Sequence, residues 1–323
     1  MISTNDKKEQ KIMIKGTLVP ALTFFDKDGN IDEKFTSWHM NWVLDNGVNG
    51  LFVTGTYGSG YLMSPEQRVR VYEIAREITK AHPGTFCVAH VGSNDSASSV
   101  YLTENARDLG YDAVSAVNPY TFKYRDDELV GYYSDLVKAA GKMPVFAYNN
   151  PSLTSKAIGM DLVRKFAEVG VSAMKDSSLN RDLALAIREF RENEGADFEY
   201  ISGSTKDWDY FRTIGVKAMI AGACNYVPDL VSSMYRLSLK DDDERFMKAC
   251  ESVNYLSSFT KVGNSLISSH LALRSRGYDV PYMKRPLICP YDEYKEKMAE
   301  DKAAIDEAVE LIRAIDPEYK FVN

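Results

Sequence analysis

Three residues of this chain stand where an apolar run gives way to a polar turn and are of types that could do chemistry together. They are Lys175 in Val171-Ser172-Ala173-Met174-Lys175-Asp176-Ser177-Ser178, Tyr148 in Tyr148-Asn149-Asn150-Pro151, and Thr56 in Thr54-Gly55-Thr56-Tyr57-Gly58-Ser59-Gly60. An ammonium at the end of a buried strand is costly unless paired, solvated or neutralised, and desolvation lowers its pKa toward the free amine that attacks carbonyl carbon. Lys175 is therefore a candidate Schiff-base nucleophile. A protonated Schiff base withdraws electrons from the adjacent carbon, with Tyr148 as proton shuttle and Thr56 as its link to a further donor. Such chemistry requires no cofactor. Taken singly, each residue also has an ordinary reading: a strand-end lysine reaching water, a half-buried tyrosine, a turn-forming threonine.

The elements that must position these groups follow from the hydrophobic pattern. Short apolar runs recur at Thr17 to Phe24, Gly50 to Thr54, Phe86 to Val91, Ala113 to Val117, Pro144 to Tyr148, Val171 to Lys175, Tyr200 to Gly203 and Ala218 to Ala221. Amphipathic stretches alternate with them: Asp32 to Asn46, Pro65 to Ala81 behind Ser64 as N-cap, Ala97 to Leu109, Asp127 to Ala140 and Asp161 to Val169. Eight β/α units in this length predict an α/β fold, a (β/α)8 TIM barrel over residues 16–240. The first turn, Phe25-Asp26-Lys27-Asp28-Gly29-Asn30, lacks the glycine fingerprint of a dinucleotide-binding open sheet. Two long helical patterns, Asp241 to Ser275 and Asp292 to Ile315, predict a C-terminal helical extension over 241–323 packed on the barrel. Residues 1–15 read as a flexible tail.

In a barrel the active site collects at the C-terminal strand ends. The candidates there are Gly55, Thr56 and Tyr57 after strand two, where glycines let backbone N–H groups approach a small anion. Tyr120 follows strand four, Gly203 strand seven and Gly222 strand eight. His90, at the end of the third run, points into the site or sits in the core.

Composition narrows the function classes. The chain has 323 residues, is 45% hydrophobic and carries a net charge of −7 with acids and bases interleaved. That gives no broad basic surface for nucleic acid. The four cysteines, Cys87, Cys224, Cys250 and Cys289, form no CxxC and fit a reducing compartment, so a cytoplasmic location is expected. The four histidines have no metal-ligand spacing, and no metal site is expected. Met1 to Lys11 is polar, without the apolar core of a signal peptide, and no run approaches a membrane span.

These motifs, in this order, resemble the dihydrodipicolinate synthase and N-acetylneuraminate lyase family of Schiff-base aldolases over about Gly16 to Pro290. The resemblance rests on Gly55-Thr56-Tyr57-Gly58, Asn118-Pro119-Tyr120, Tyr148-Asn149-Asn150-Pro151, Lys175-Asp176-Ser177-Ser178, Ser202-Gly203 and Arg285-x-Leu287. It implies Lys175 as the Schiff-base lysine, Tyr148 as proton relay and Thr56 as its hydroxyl partner. It also implies a cradle for the carboxylate of a 2-oxo acid such as pyruvate, made by the N–H groups of Thr56 and Tyr57. A homotetramer follows, in which a neighbouring subunit's aromatic can reach the site, and Lys206 is directed toward the far end of the substrate. The departures bear on specificity. Synthases carry an arginine where Leu153 stands, and sialic acid lyases an acidic pair at Thr205 and Lys206. The usual glutamate is Ser59, the usual small hydroxyl is Tyr57, and a second tyrosine is replaced by Thr121. The resulting expectation is a class I aldolase or lyase acting on a 2-oxo acid. A dehydratase or deaminase using the same Schiff base is the alternative, and a barrel that binds a 2-oxo acid without turnover is the reading from another class.

Overall fold

Eight strands, every one short and almost wholly buried, close on themselves in the computed structural model, which describes residues 14–323. They are β1 (Gly16–Pro20), β2 (Gly50–Val53), β3 (Phe86–His90), β4 (Ala113–Val117), β5 (Val145–Asn149), β6 (Ala173–Asp176), β7 (Glu199–Ser202) and β8 (Ala218–Ile220). All neighbours are parallel, and β1 pairs with β8 to shut the ring. Burial on both faces explains why these runs are continuously apolar instead of alternating with polar residues. The expected (β/α)8 barrel is the observed fold.

Helices α1 (Glu33–Asp45), α2 (Pro65–Ala81), α3 (Ser96–Leu109), α4 (Asp126–Ala140), α5 (Met160–Glu168), α6 (Arg181–Glu194), α7 (Trp208–Thr213) and α8 (Pro228–Ser238) follow the strands in turn. Their starts are written in the sequence. Ser64 accepts from the Gln67 N–H while Gln67 reaches back to the Ser64 N–H, with Pro65 at the first helical position. Asp32, Asp95 and Asn180 cap α1, α3 and α6 by accepting from the N–H groups of Phe35, Ser98 and Leu183. At the closing seam the Asn225 side chain accepts from the Leu22 N–H and donates to Pro20 O, tying the end of β1 to the turn after β8.

Two apolar layers result. Residues such as Leu18, Phe52, Val88, Phe146, Ala173 and Ile201 fill the barrel interior, while a larger shell lies between strands and helices. Side chains alternate along a strand, so the residues two beyond Val88, Phe146 and Ala173 also face inward. Those residues are His90, Tyr148 and Lys175.

The C-terminal region differs from expectation in one respect. The pattern Asp241 to Ser275 is not one helix but two, α9 (Asp243–Phe259) and α10 (Ser265–Ser275). Gly263 takes a left-handed φ of 56° and Asn264 caps α10 by accepting from Leu266 and Ile267 N–H, so the chain turns there. The last helix, α11 (Lys295–Ile315), packs on α9 and α10, and the segment after it returns to the barrel. There the Asn46 side chain exchanges two hydrogen bonds with the Val322 backbone, both 2.8 Å, and Tyr319 donates to the buried Asp229 carboxylate, which pairs with Arg276. Of the expected N-terminal tail, residues 1–13 lie outside the described residues, and Ile14 is buried against the barrel interior.

Two histidines off the barrel axis set a pH dependence. The rings of His39 and His270 lie 5.2 and 5.3 Å from the Phe24 ring, fully buried. Burial holds His39 down at about 4 against the Asn225 carbonyl that raises it, and burial together with His39 holds His270 at about 3. Unfolded, each titrates near its ordinary value of about 6.5, so below that pH the unfolded chain binds the extra protons. Their contribution is complete above about pH 6.5 and is lost as pH falls toward the folded values. Unfolding free energy should therefore drop between pH 6.5 and 5 by about 1.4 kcal/mol per pH unit for each histidine. Urea melts of His39→Gln should show a slope shallower by one such increment; an unchanged slope would contradict the assignment.

Candidate active site

The inward parity of β6 brings Lys175 into the barrel mouth, 4% exposed. Its Nζ lies 4.2 Å from the centroid of the Tyr148 ring and 4.3 Å from that of Phe52. Lys175 and Tyr148 are direct partners in the β5–β6 register, which fixes the amine beside the phenol. No carboxylate pairs with this ammonium among the described residues. Burial lowers the Lys175 pKa against the opposing pull of Tyr148. For Tyr148, burial raises the pKa, but the Lys175 charge and donors from Ser177, Thr56 and Asn150 outweigh it and leave the phenol lowered. Amine and phenol are thus poised to exchange a proton.

The next residue holds this arrangement in place. Asp176, of opposite parity, is fully buried and accepts from Asn149 Nδ2 at 2.8 Å, Ser178 N at 2.9 Å, Ser178 Oγ at 2.7 Å, Asn180 N at 3.3 Å and Tyr200 Oη at 3.0 Å. One carboxylate thereby gathers β5, β7 and the start of α6 around the end of β6. Gly203 is part of the same fastening. Its N–H donates to Asp176 O at 2.8 Å, and a Cβ there would lie 2.6 Å from that oxygen.

The turn after β2 is built under strain. Thr54 and Ser59 adopt φ of 54° and 56°, unfavourable for residues with a Cβ, most of all a β-branched one. Thr54 is held by its hydroxyl donating to His90 O at 2.9 Å, and Gly60 packs so tightly that a Cβ would meet Thr54 O at 1.8 Å. Gly55 lies against the Phe52 ring, leaving no space for a side chain. The turn directs the N–H groups of Thr56 and Tyr57 to no acceptor among the described residues. The Thr56 oxygen is buried without a hydrogen bond. The Tyr57 phenol rests on Gly222, where a Cβ would come within 2.0 Å of its oxygen, and burial raises its pKa.

His90 is buried in the same layer, with Val117 N–H donating to its Nε2 at 3.2 Å. Burial first, then the Arg68 and Lys175 charges, keeps it well below its ordinary pKa and neutral. Tyr120 is half-buried, anchored by its N–H to Asn94 Oδ1 at 2.9 Å. Lys206 is exposed, and its ammonium forms no ion pair among the described residues; neighbouring Asp207 pairs with Arg181. Lys175, Tyr148, Thr56, Gly55 and Gly203 therefore converge, Tyr57 and Gly222 form one contact at the rim, and Lys206 stands apart from the amine on the solvent side. Among the described residues no three His, Cys, Asp or Glu side chains gather as metal ligands.

Sequence reading did not single out Phe52, Ser177, Asn150 or Tyr61. Phe52 and Tyr148 were both legible by strand parity, whereas Asn150, which donates to Tyr148 Oη at 3.0 Å, acts through a turn that parity does not describe. Tyr61 enters through a 3-10 turn, Gly60–Leu62, that folds it back over the site, its ring 5.5 Å from His90 and 5.3 Å from Tyr120.

Comparison with known proteins gives a consistent picture. A model of the dihydrodipicolinate synthetase family matches residues 13–305. The 4-hydroxy-tetrahydrodipicolinate synthase of Methanothermobacter thermautotrophicus is 31% identical over 237 residues, covering 73% of this chain and 83% of that protein. Among solved structures, a prophage protein of the dihydrodipicolinic acid synthase family from E. coli K12, in complex with pyruvate, superposes with a TM-score of 0.83 at 19% identity over 92% of this chain and 99% of its own. The sialic acid aldolase of Ruminococcus gnavus does so with a TM-score of 0.83 at 23% identity, over 92% and 98%. At these identities the structural likeness speaks to the shared fold.

The Asp176 hub yields a direct test. Replacing it by Asn substitutes donors for acceptors on one side of a fully buried group, leaving N–H and O–H groups without partners. Asp176→Asn should lose about 3 kcal/mol of stability, read by urea or thermal unfolding. A loss below about 0.5 kcal/mol would show that this loop does not depend on the carboxylate.

Proposed function

The chain belongs to the dihydrodipicolinate synthetase family, and from that premise we propose that it is a class I aldolase or lyase forming a Schiff base between Lys175 and a 2-oxo acid, pyruvate or a derivative of it. The observation that carries this reading is the burial of the Lys175 amine against the Tyr148 phenol with no carboxylate among the described residues to hold its proton. A lysine so placed reaches the neutral, nucleophilic form more readily than one in water.

The steps follow from the groups present. The free amine adds to the keto carbon, and the carbinolamine hydroxyl takes a proton from Tyr148 and leaves as water. The resulting iminium accepts the electron pair of the bond between the third and fourth carbons. That bond breaks as a base removes the proton of the hydroxyl on the fourth carbon, giving an aldehyde and an enamine. Protonation of the enamine and hydrolysis return Lys175; the reverse order forms the bond. Thr56 would exchange protons with Tyr148, and the free N–H groups of Thr56 and Tyr57 would cradle the carboxylate, with Gly55 giving the backbone its close approach. Gly203 would keep the β6 loop in place, and Gly222 and Tyr57 would bound one wall. Tyr120 would line the mouth, and Lys206 would meet an anionic or strongly polar tail. Leu153 in place of an arginine removes a clamp for a second carboxylate, which argues against lysine-precursor synthesis. Assembly as a homotetramer and a cytoplasmic location belong to the same reading, supported by family membership and, for the compartment, by four free thiols.

Incubation with pyruvate and borohydride should attach a reduced adduct irreversibly to Lys175, located by peptide mass spectrometry, and Lys175→Ala should abolish it. An adduct of equal yield in that variant, or one on another lysine, would sink the mechanism. With a cleavable substrate identified by product analysis, which also separates carbon–carbon cleavage from loss of water or ammonia, Tyr148→Phe should lower kcat/KM by about 10²-fold. A change of only a few fold would make Tyr148 a structural tyrosine.

A further inference from the structure

The turn after β5 brings an amide to the reacting phenol. Asn150 Nδ2 donates to Tyr148 Oη at 3.0 Å, and Asn150 Oδ1 accepts from Ser152 Oγ at 2.6 Å. With its oxygen engaged by the serine, the amide turns its N–H to the phenol. The backbone holds both residues in place: Leu153 and Thr154 N–H donate to Asn150 O at 3.0 and 3.2 Å, closing a turn with Asn and Pro151 in the positions where such turns favour them. Lys175 stands over the Tyr148 ring, 4.2 Å from its centroid, whereas Asn150 meets the oxygen itself. That oxygen carries the charge when the phenol ionises.

We propose that Asn150 is a positioning residue for the reaction: its amide N–H holds the Tyr148 oxygen and stabilises the phenolate formed when Tyr148 gives its proton to the departing carbinolamine oxygen. The proposal rests on the Schiff-base reading of Lys175. Tyr148 loses one proton to the oxygen that leaves as water and regains one from the substrate as the enamine forms; Asn150 keeps its own. A phenolate buried without donors is costly, and a hydrogen bond to the charged form offsets part of that cost. The direction of the Tyr148 pKa agrees: burial raises it, and the Lys175 charge with donors that include Asn150 brings it below its ordinary value. The other titratable groups facing Tyr148 are Lys175 on β6, His90 on β3, whose ring lies 5.9 Å away, and the Tyr57 and Tyr61 phenols after β2. Substitution at Asn150 leaves all four in place.

Two variants separate the donor from the turn. Asn150→Leu removes the amide at similar size, and Asn150→Asp keeps a residue that the turn favours while replacing the donor with an acceptor. With tyrosine labelled with 13C at Cζ, titrated by NMR and assigned through Tyr148→Phe, the Tyr148 resonance should change about one pH unit higher in Asn150→Leu than in the parent. In Asn150→Asp it should change higher still. The rate at which pyruvate becomes trappable by borohydride should fall by about 3-fold or more in both, in the same order, because the phenol has become the weaker acid. A Tyr148 resonance within about 0.3 pH unit of the parent in Asn150→Leu, or one that moves down because the amide accepts from the phenol, would overturn the proposal. Titration and trapping restored to the parent's values in Asn150→Asp would overturn it too, since the turn alone would then suffice. The titration needs no substrate, so these outcomes leave the Schiff base standing. Failure of the parent to trap pyruvate would instead overturn the reading beneath the proposal, and the proposal with it.

Discussion

The competition between burial and charge at the Lys175 amine is the constraint around which the rest of the molecule is arranged. Two aromatic faces at 4.2 and 4.3 Å attract the ammonium, each by about 0.5 to 2 kcal/mol. Removing an ammonium from water still costs several kcal/mol after relaxation, so the rings soften the loss without cancelling it. A paired carboxylate would tip the balance toward a permanently charged lysine, and the only carboxylate on the strand, Asp176, faces the other way. Strand parity makes that separation: adjacent residues of a β-strand point to opposite sides. The acid anchors the loop, and burial lowers the pKa of the amine.

The same end of the barrel concentrates unfavourable backbone. The non-glycine residues with left-handed φ, Thr54, Ser59, Leu179 and Asp207, all follow β2, β6 or β7. Each costs of the order of 1 to 3 kcal/mol and persists because its surroundings determine it, as the Thr54 hydroxyl bond and the close approach of Gly60 do after β2. Among the described residues the opposite end carries no such cluster. Its glycines with positive φ, such as Gly110 and Gly195, merely end helices.

Much of this was legible in the sequence, because the signals were local. Continuous apolar runs specify doubly buried strands, and Ser64 with Gln67 specifies a helix start. The placement of Lys175 and Tyr148 at strand ends followed from counting. What escaped was geometry made between elements. One long helical pattern hid the break at Gly263-Asn264, since the apolar period resumes on the other side of it. Asp176 looked like a turn residue, which its bonds to Ser178 and Asn180 make it, but the donors Asn149 and Tyr200 come from neighbouring strands that only the closed barrel brings to it. Tyr57 entered the sequence reading through its backbone N–H and as a departure from a small hydroxyl, whereas its ring fills the space that Gly222 leaves, a pairing of residues 165 positions apart. Lys206 was placed only by resemblance, and nothing local in the sequence shows that its neighbour Asp207 pairs with Arg181 from across the loop.

The account turns on one quantity, the proton affinity of Lys175, and it can be measured without any substrate. Lysine labelled with 13C at Cε, titrated by NMR and assigned through Lys175→Met, should show one resonance changing below the ordinary lysine range of about 10.4. The same titration in Tyr148→Phe should move that resonance lower still, because the phenol raises the amine's pKa and its loss leaves burial unopposed. A Lys175 that titrates with the surface lysines, or that rises when the phenol is removed, would contradict the account.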